Sequence, residues 1–294
     1  MASKDKSEDQ RVIIKAIIGH VKLREDFQTG TRYFENLIEH FPDEQVYYAW
    51  LADSYLAHNL PEKCLSTIDR GLSKVKEKTR LIEIKSRCLK DTGQINEAVV
   101  LLEKSIENSP TEKGLYSTLI DILSQTNPGD VEKWYRKGLS VLPEDEDLLS
   151  TYAAFLFEKG RKEEALYRYC MITRLFPMNA TYAGLLGNVY LALNLNDKAL
   201  GSYEKAKSLV NEPASWNFAN IGNLYKNSGF YSKAIDYLNE ALTIDPNDEY
   251  AHNRLATALA QQAEESKRAA ELEKKGQQTF LQGDTTRQIG PSEP

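Results

Sequence analysis

The stretch SWNFANIGNLYKNSGFYSKAIDYLNEALTIDPND, Ser215 to Asp248, decides how the rest of the chain is read. Phe218, Ile221, Gly222 and Tyr225 fall at i, i+3, i+4 and i+7, so they share one stripe of an α-helix. Asn227-Ser228-Gly229 interrupts the pattern, and Gly229 suits the left-handed residue that follows a helix end. Tyr231, Ala234, Ile235, Leu238, Ala241 and Leu242 then form a second apolar helical face. Pro246 stops that helix, and Asn247-Asp248 can cap the next one. Neither helix is apolar on one narrow face only, so the pair predicts neighbours that cover it.

Phe218, Gly222, Tyr225, Gly229, Ala234, Leu238, Ala241 and Pro246 occupy the bulky, small and proline places of the tetratricopeptide repeat (TPR), which the stretch resembles. The period gives an independent check. Pro42, Pro110, Pro143, Pro177 and Pro246 are separated by 68, 33, 34 and 69 residues, each near a multiple of 34. The resemblance implies an all-α fold, a right-handed superhelical solenoid of about seven TPR helix pairs plus a C-terminal capping helix.

Working outward, residues 1–10 read as a disordered lead-in. Repeats are expected near 11–44, 45–78, 79–111, 112–145, 146–179, 180–214 and 215–248, a capping helix over 249–275, and a flexible tail over 276–294. The fourth repeat is the least regular. Leu119 and Val131 stand where small residues are expected, and Asn127-Pro128-Gly129-Asp130 makes a marked turn. In the first repeat, Val12, Ile13, Ile14, Ala16, Ile17, Ile18 and Val21 wrap past one helical face. That surplus predicts an oligomer or partner contact through Ile13 and Ile17.

The bulk composition narrows the function classes. The 294 residues carry a net charge of -6 and a sequence pI near 5.5, which gives no broad basic footprint for nucleic acid. The N-terminal MASKDKSEDQ has no apolar core of a signal peptide, and no run is apolar enough to span a bilayer, so no membrane role is expected. A cytoplasmic location follows as an expectation. Cys64, Cys88 and Cys170 are an odd set without paired spacing, which argues against a disulfide framework or zinc site. No phosphate-binding glycine loop, HExxH or GxSxG occurs, and His20, His40, His58 and His252 share no ligand spacing. No catalytic residue, metal or cofactor is assigned, and the chain reads as non-enzymatic.

In proteins that this chain resembles, the first helix of each repeat lines a concave groove that binds partner segments. The places that face the groove carry Lys15, Lys22, Arg80, Arg87, Lys90, Lys113, Lys226 and Arg254 against Asp53, Glu83, Asp91, Asp147 and Glu158. The groove is therefore expected to be mildly basic, with Arg80, Arg87, Lys90 and Lys113 as a cluster, and to favour acidic ligands. Asn188, Asn220, Asn223, Lys226 and Arg254 form the candidate peptide-binding set. An asparagine can both donate to and accept from a peptide main chain, and arginine offers a forked donor to a carboxylate.

Chaperone-binding members of the resembled family grip an acidic C-terminal tail with two lysines, two asparagines and an arginine across three repeats. Asn188, Asn220 and Arg254 match three of those five places, whereas Gly184 and Tyr250 stand where the lysines would be. Tyr48, Trp50, Tyr116 and Trp216 are candidate aromatic anchors, Tyr48 with a packing role as well. The function implied is a protein–protein interaction scaffold or adaptor that holds a partner's extended peptide or helix. A regulatory or sensor subunit of an enzyme complex and a chaperone-tail co-chaperone are the alternatives.

Overall fold

In the computed structural model, residues 2–210 and 214–285 are described, with side chains placed over 11–210 and 214–275. Every regular element among them is an α-helix. The chain divides into two compact units, residues 1–152 and 153–294. The first unit contains α1 (Ala2–Glu25), α2 (Phe27–His40), α3 (Gln45–Ala57), α4 (Pro61–Leu72), α5 (Thr79–Asp91), α6 (Ile95–Asn108), α7 (Lys113–Thr126) and α8 (Val131–Val141). The helix α9 (Glu146–Glu158) carries the point of division. The second unit continues with α10 (Lys162–Leu175), α11 (Ala180–Ala192), α12 (Asn196–Ser208), α13 (Ser215–Asn227), α14 (Tyr231–Ile244) and α15 (Glu249–Thr285). The described helices thus form seven pairs followed by one long helix.

Five of the seven described pairs turn by the same device. Asn59, Gly93, Gly160, Asn194 and Gly229 all have positive φ, and they recur at or near the repeat period between the two helices of their pairs. Asparagine and glycine tolerate this left-handed geometry best. One residue further on, the N–H groups of Leu60, Gln94, Arg161, Leu195 and Phe230 donate to carbonyls of Tyr55, Leu89, Leu156, Tyr190 and Tyr225 at 2.8–2.9 Å. That bond satisfies a carbonyl the helix end would otherwise leave open. The first pair turns instead through Asp26, whose carboxylate accepts from Gln28 and Thr29 N–H groups and caps α2. The fourth pair also lacks a left-handed residue. Its turn is closed by Asn127 Nδ2 donating to Asp130, and α8, at 11 residues, is the shortest helix described.

The loops between pairs are pinned by the residues that follow the prolines. Tyr48 and Tyr116 donate their hydroxyls to the carbonyls of Pro42 and Pro110 at 2.9 and 3.0 Å, and His252 Nε2 donates to Pro246 O at 2.9 Å. In all three cases the donor lies six residues after the proline. Tyr48 and Tyr116 are fully buried, so the suggestion that Tyr116 anchors a partner is corrected: its ring packs inside and its hydroxyl holds the loop.

Glycine sets the closest helix approach in the first pair. A Cβ on Gly30 would lie 2.5 Å from the Leu23 backbone, so α2 touches α1 main chain to main chain. The helix α1 starts at Ala2 and runs through the expected lead-in, where neither Gly nor Pro stands between residues 2 and 10 to stop it. At the other end α15 continues ten residues past the expected 275; the tail beyond 285 lies outside the described residues.

Candidate binding face on the first helices

The first helices of successive pairs carry the residues singled out by the sequence, and their surroundings sort them sharply. In the first unit the basic cluster is neutralised. Arg80 and Arg87 each donate to a different oxygen of Asp53, and Arg80 also pairs with Glu83 at 3.0 Å. Lys90 lies 3.6 Å from Asp91 and 4.0 Å from Asp121. Lys113 reaches Asp147 at 2.9 Å and Asp145 at 3.8 Å. Asp53 and Arg87, like Lys113 and Asp147, are 34 residues apart, the same place in adjacent repeats. Exposed pairs of this kind are worth about 0–1 kcal/mol each, and they leave little free positive field for a ligand.

The same unit has a concave cavity of about 740 Å³ between α1, α3 and α5, whose lining includes His20, Trp50, Asp53, His58 and Arg80. His20 meets Trp50 edge to face with centroids 4.4 Å apart, and Phe27 stacks on His58 at 3.9 Å. Trp50, unlike Tyr48, keeps part of its surface open to this hollow.

The second unit differs in kind. Asn188 on α11 accepts two hydrogen bonds at Oδ1, from the Tyr203 hydroxyl at 2.6 Å and from Asn220 Nδ2 on α13 at 3.3 Å. Tyr203 is fully buried, and burial, with Tyr250 nearby, raises its phenol pKa. The two asparagines are therefore oriented from beneath: Asn188 retains its Nδ2 donor and Asn220 its Oδ1 acceptor. That is one donor and one acceptor, the complement of a peptide main chain.

Next to them, Asn223 and Lys226 are only 7% and 8% exposed. Asn223 Oδ1 has no hydrogen-bond partner, and Lys226 forms no ion pair with any described residue. Burial lowers the Lys226 pKa, and the positive charge of Arg254 lowers it further. The Arg254 guanidinium lies 4.9 Å from the centre of the Tyr250 ring, while its Nε is buried without a partner. A buried cation with no counter-charge is costly, and a carboxylate arriving there would relieve both groups. The start of α13 is tied to that of α15 by Ser215 Oγ donating to Asp248, whose other oxygen caps α15 at Ala251.

Sequence reasoning missed one partner. A Cβ on Gly184 would stand 2.1 Å from Trp216 Cη2, so the indole covers the glycine. Trp216 is still 38% exposed and forms a wall beside the asparagines. The lysine of the chaperone-type pattern is absent at 184 because the tryptophan fills its room. Two neighbouring facts in the sequence, a glycine where a side chain is usual and a tryptophan one repeat later, were the available signal.

Among the described residues no group of three or more His, Cys, Asp or Glu could hold a metal ion, and no helix is long and apolar enough to cross a membrane.

Helix pairs recurring at a near-constant period, five of the seven turned by a left-handed residue, define a helical-repeat fold. Residues 217–248 match the family model of the tetratricopeptide repeat. Its fold resembles the C-terminal part of a TPR repeat-containing protein from Cytophaga hutchinsonii, with a TM-score of 0.61 and 14% identity over 82% of this chain and 99% of that one. It also resembles a chain of the APC/C hetero-tetramer Cut9–Hcn1, with a TM-score of 0.51 and 17% identity over 84% of this chain and 52% of that one. Over 78 residues it is 35% identical to the Photosystem I assembly protein Ycf3 of Acaryochloris marina (strain MBIC 11017). That match spans 26% of this chain and about half, 47%, of the relative.

Proposed function

We propose that the chain is a non-catalytic interaction scaffold that captures an extended segment of a partner protein by an acidic group, a side-chain or C-terminal carboxylate. The observation that carries this reading is the unpaired buried charge at Lys226 beside Arg254, set against the paired cations of the first unit. Asn188 Nδ2 and Asn220 Oδ1 would hold the segment's main chain, and Arg254 with Lys226 would take the carboxylate. Trp216 and Tyr250 would flank it as aromatic walls.

The partial similarity to a Photosystem I assembly protein supports a second, narrower reading: service in the assembly of a multi-subunit complex, with the captured segment belonging to a subunit.

The test compares a random peptide library with free C-termini and the same library amidated, passed over the immobilised full chain. Retention of acidic, free-carboxylate members, lost in Asn220→Ala/Arg254→Ala while the melting temperature barely moves, is the expected result. Neutral, amidated members retained as well as acidic or free-carboxylate ones, or a double variant that unfolds together with its loss of binding, overturns the assignment.

A further inference from the structure

The helix α1 has two apolar faces, and only one of them is covered. Ala16, Gly19 and Leu23 turn inward, Gly19 against the Phe34 ring of α2. On the opposite side Ile13, Ile14, Ile17, Ile18 and Val21 are each between 43% and 56% exposed. At about 100° per residue these five fall on one stripe roughly opposite the buried face. The next first helix shows what such a stripe ordinarily meets. On α3, Tyr47, Tyr48, Ala49, Leu51, Ala52 and Tyr55 are buried on both sides, because α1 and α2 lie against it. Thus α1 has the apolar surplus of an interior helix, and no described helix covers its outer face.

We infer that the outer face of α1 is a docking surface for an amphipathic α-helix of another protein, one whose apolar face is flanked by acidic residues. Shape and charge both point to that occupant. Ile13, Ile17 and Val21 make one i+4 ridge and Ile14 and Ile18 a second, and the furrow between them accepts the ridge of an incoming helix. The edges of the stripe are basic. Over residues 11–25, where side chains are placed, Arg11, Lys15 and Lys22 lie along one side and Arg24 along the other, with Glu25 the single acidic group of that stretch; Asp5, Glu8 and Asp9 belong to the first turns of the same helix. The ammonium groups of Lys15 and Lys22 lie over the rings of Phe41 and Tyr33, 3.8 and 5.6 Å from their centroids, so these two lysines stand at the α2 edge of the stripe and not in the hollow expected from the sequence.

A second copy of this chain fits less well, since pairing the stripe with itself brings basic edges together. A lipid surface is served less well by a stripe without Trp, Tyr or Phe. By contrast, α15 presents mostly polar and charged side chains to solvent between 260 and 275.

The experiment uses the full chain and two synthetic helical peptides with the same Leu/Ile face, one flanked by Glu and one by Lys, with affinity read by fluorescence anisotropy. The Glu-flanked peptide should bind the intact chain at least tenfold more tightly than the Lys-flanked one. Ile13→Ser/Ile17→Ser should abolish that binding with little change in the thermal melt, while Asn220→Ala/Arg254→Ala should leave it intact. Absence of binding, or equal binding of the two peptides, overturns the inference. Self-association of the intact chain in sedimentation velocity that the Ile13→Ser/Ile17→Ser variant lacks overturns it in favour of a second copy. Co-sedimentation with phosphatidylserine vesicles that depends on the stripe, without peptide preference, overturns it in favour of a lipid surface.

Discussion

Lys226 and Arg254 stand close enough for the guanidinium to depress the lysine's pKa, with no described carboxylate paired to either. Two like charges, one of them buried, stand together without a described counter-charge, Arg254 resting on the Tyr250 ring. A buried cation without a counter-charge costs stability, which is the basis for the first test of the proposed carboxylate site.

Lys226→Met should therefore raise the melting temperature at pH 7 by a few degrees while weakening capture of carboxylate-bearing peptides. The sign follows from linkage. A lysine whose folded pKa is depressed from 10.5 destabilises the fold when charged, fully so below that depressed value and progressively less as pH rises toward 10.5. The advantage of the methionine variant should shrink over the same alkaline range. Differential scanning fluorimetry across pH 6–11 gives both readings, and an unchanged melt at pH 7 would show that Lys226 bears no penalty.

Tyr47 carries a buried hydroxyl with no partner, and burial pushes its pKa from 10.0 to about 12. A phenol whose folded pKa is raised contributes stability that is complete below pH 10 and is lost as pH climbs through about 12. Tyr47→Phe should be as stable as the parent at pH 7, or about 1 kcal/mol more stable. It should also unfold at higher pH in an alkaline titration followed by circular dichroism. A loss of stability at neutral pH would contradict the unpartnered hydroxyl.

Tyr203→Phe should cost about 1 kcal/mol, because Asn188 loses its shorter hydrogen bond inside the second unit. It should also loosen peptide capture, since the Asn188 amide is then free to turn over and Asn220 loses its fixed partner. Urea midpoints with an unchanged slope would report the first effect and peptide affinity the second. Destabilisation with undiminished binding would separate these asparagines from recognition.

Gly30→Ala tests the close approach of the first pair. The added methyl would meet Leu23 backbone atoms at 2.5 Å, which no rotamer change can relieve. A loss of about 1–3 kcal/mol is expected, concentrated in α1 and α2. Hydrogen exchange should show faster opening there than in α3 to α8; uniform protection would mean that the helices part without cost.

The repeat period was plain in the sequence because the parts that enforce it are local: a proline in the loop, glycine or asparagine at the turn, and small residues at the crossing. Gly229 was readable as left-handed, and its φ of +80° agrees. The electrostatic state of the candidate face was not readable from each repeat alone, because the partners lie in different repeats. Arg87 looks like a free cation until Asp53, one period earlier, is laid beside it. Lys113 and Asp147 repeat the lesson. Comparing equivalent places of adjacent repeats would have found these pairs and shown that Lys226 has none. Burial of Tyr116 was hidden for the same reason, since its ring fills space that another helix closes.

The seating of Trp216 on Gly184 also limits how this protein could change its tastes. A lysine at 184 would have to evict the indole and a second would have to replace Tyr250, so the chaperone-type grip lies at least three substitutions away, with a worse-packed intermediate between. Selection for new ligands would more easily alter Tyr250 or Trp216 first, leaving the glycine as the last piece to move.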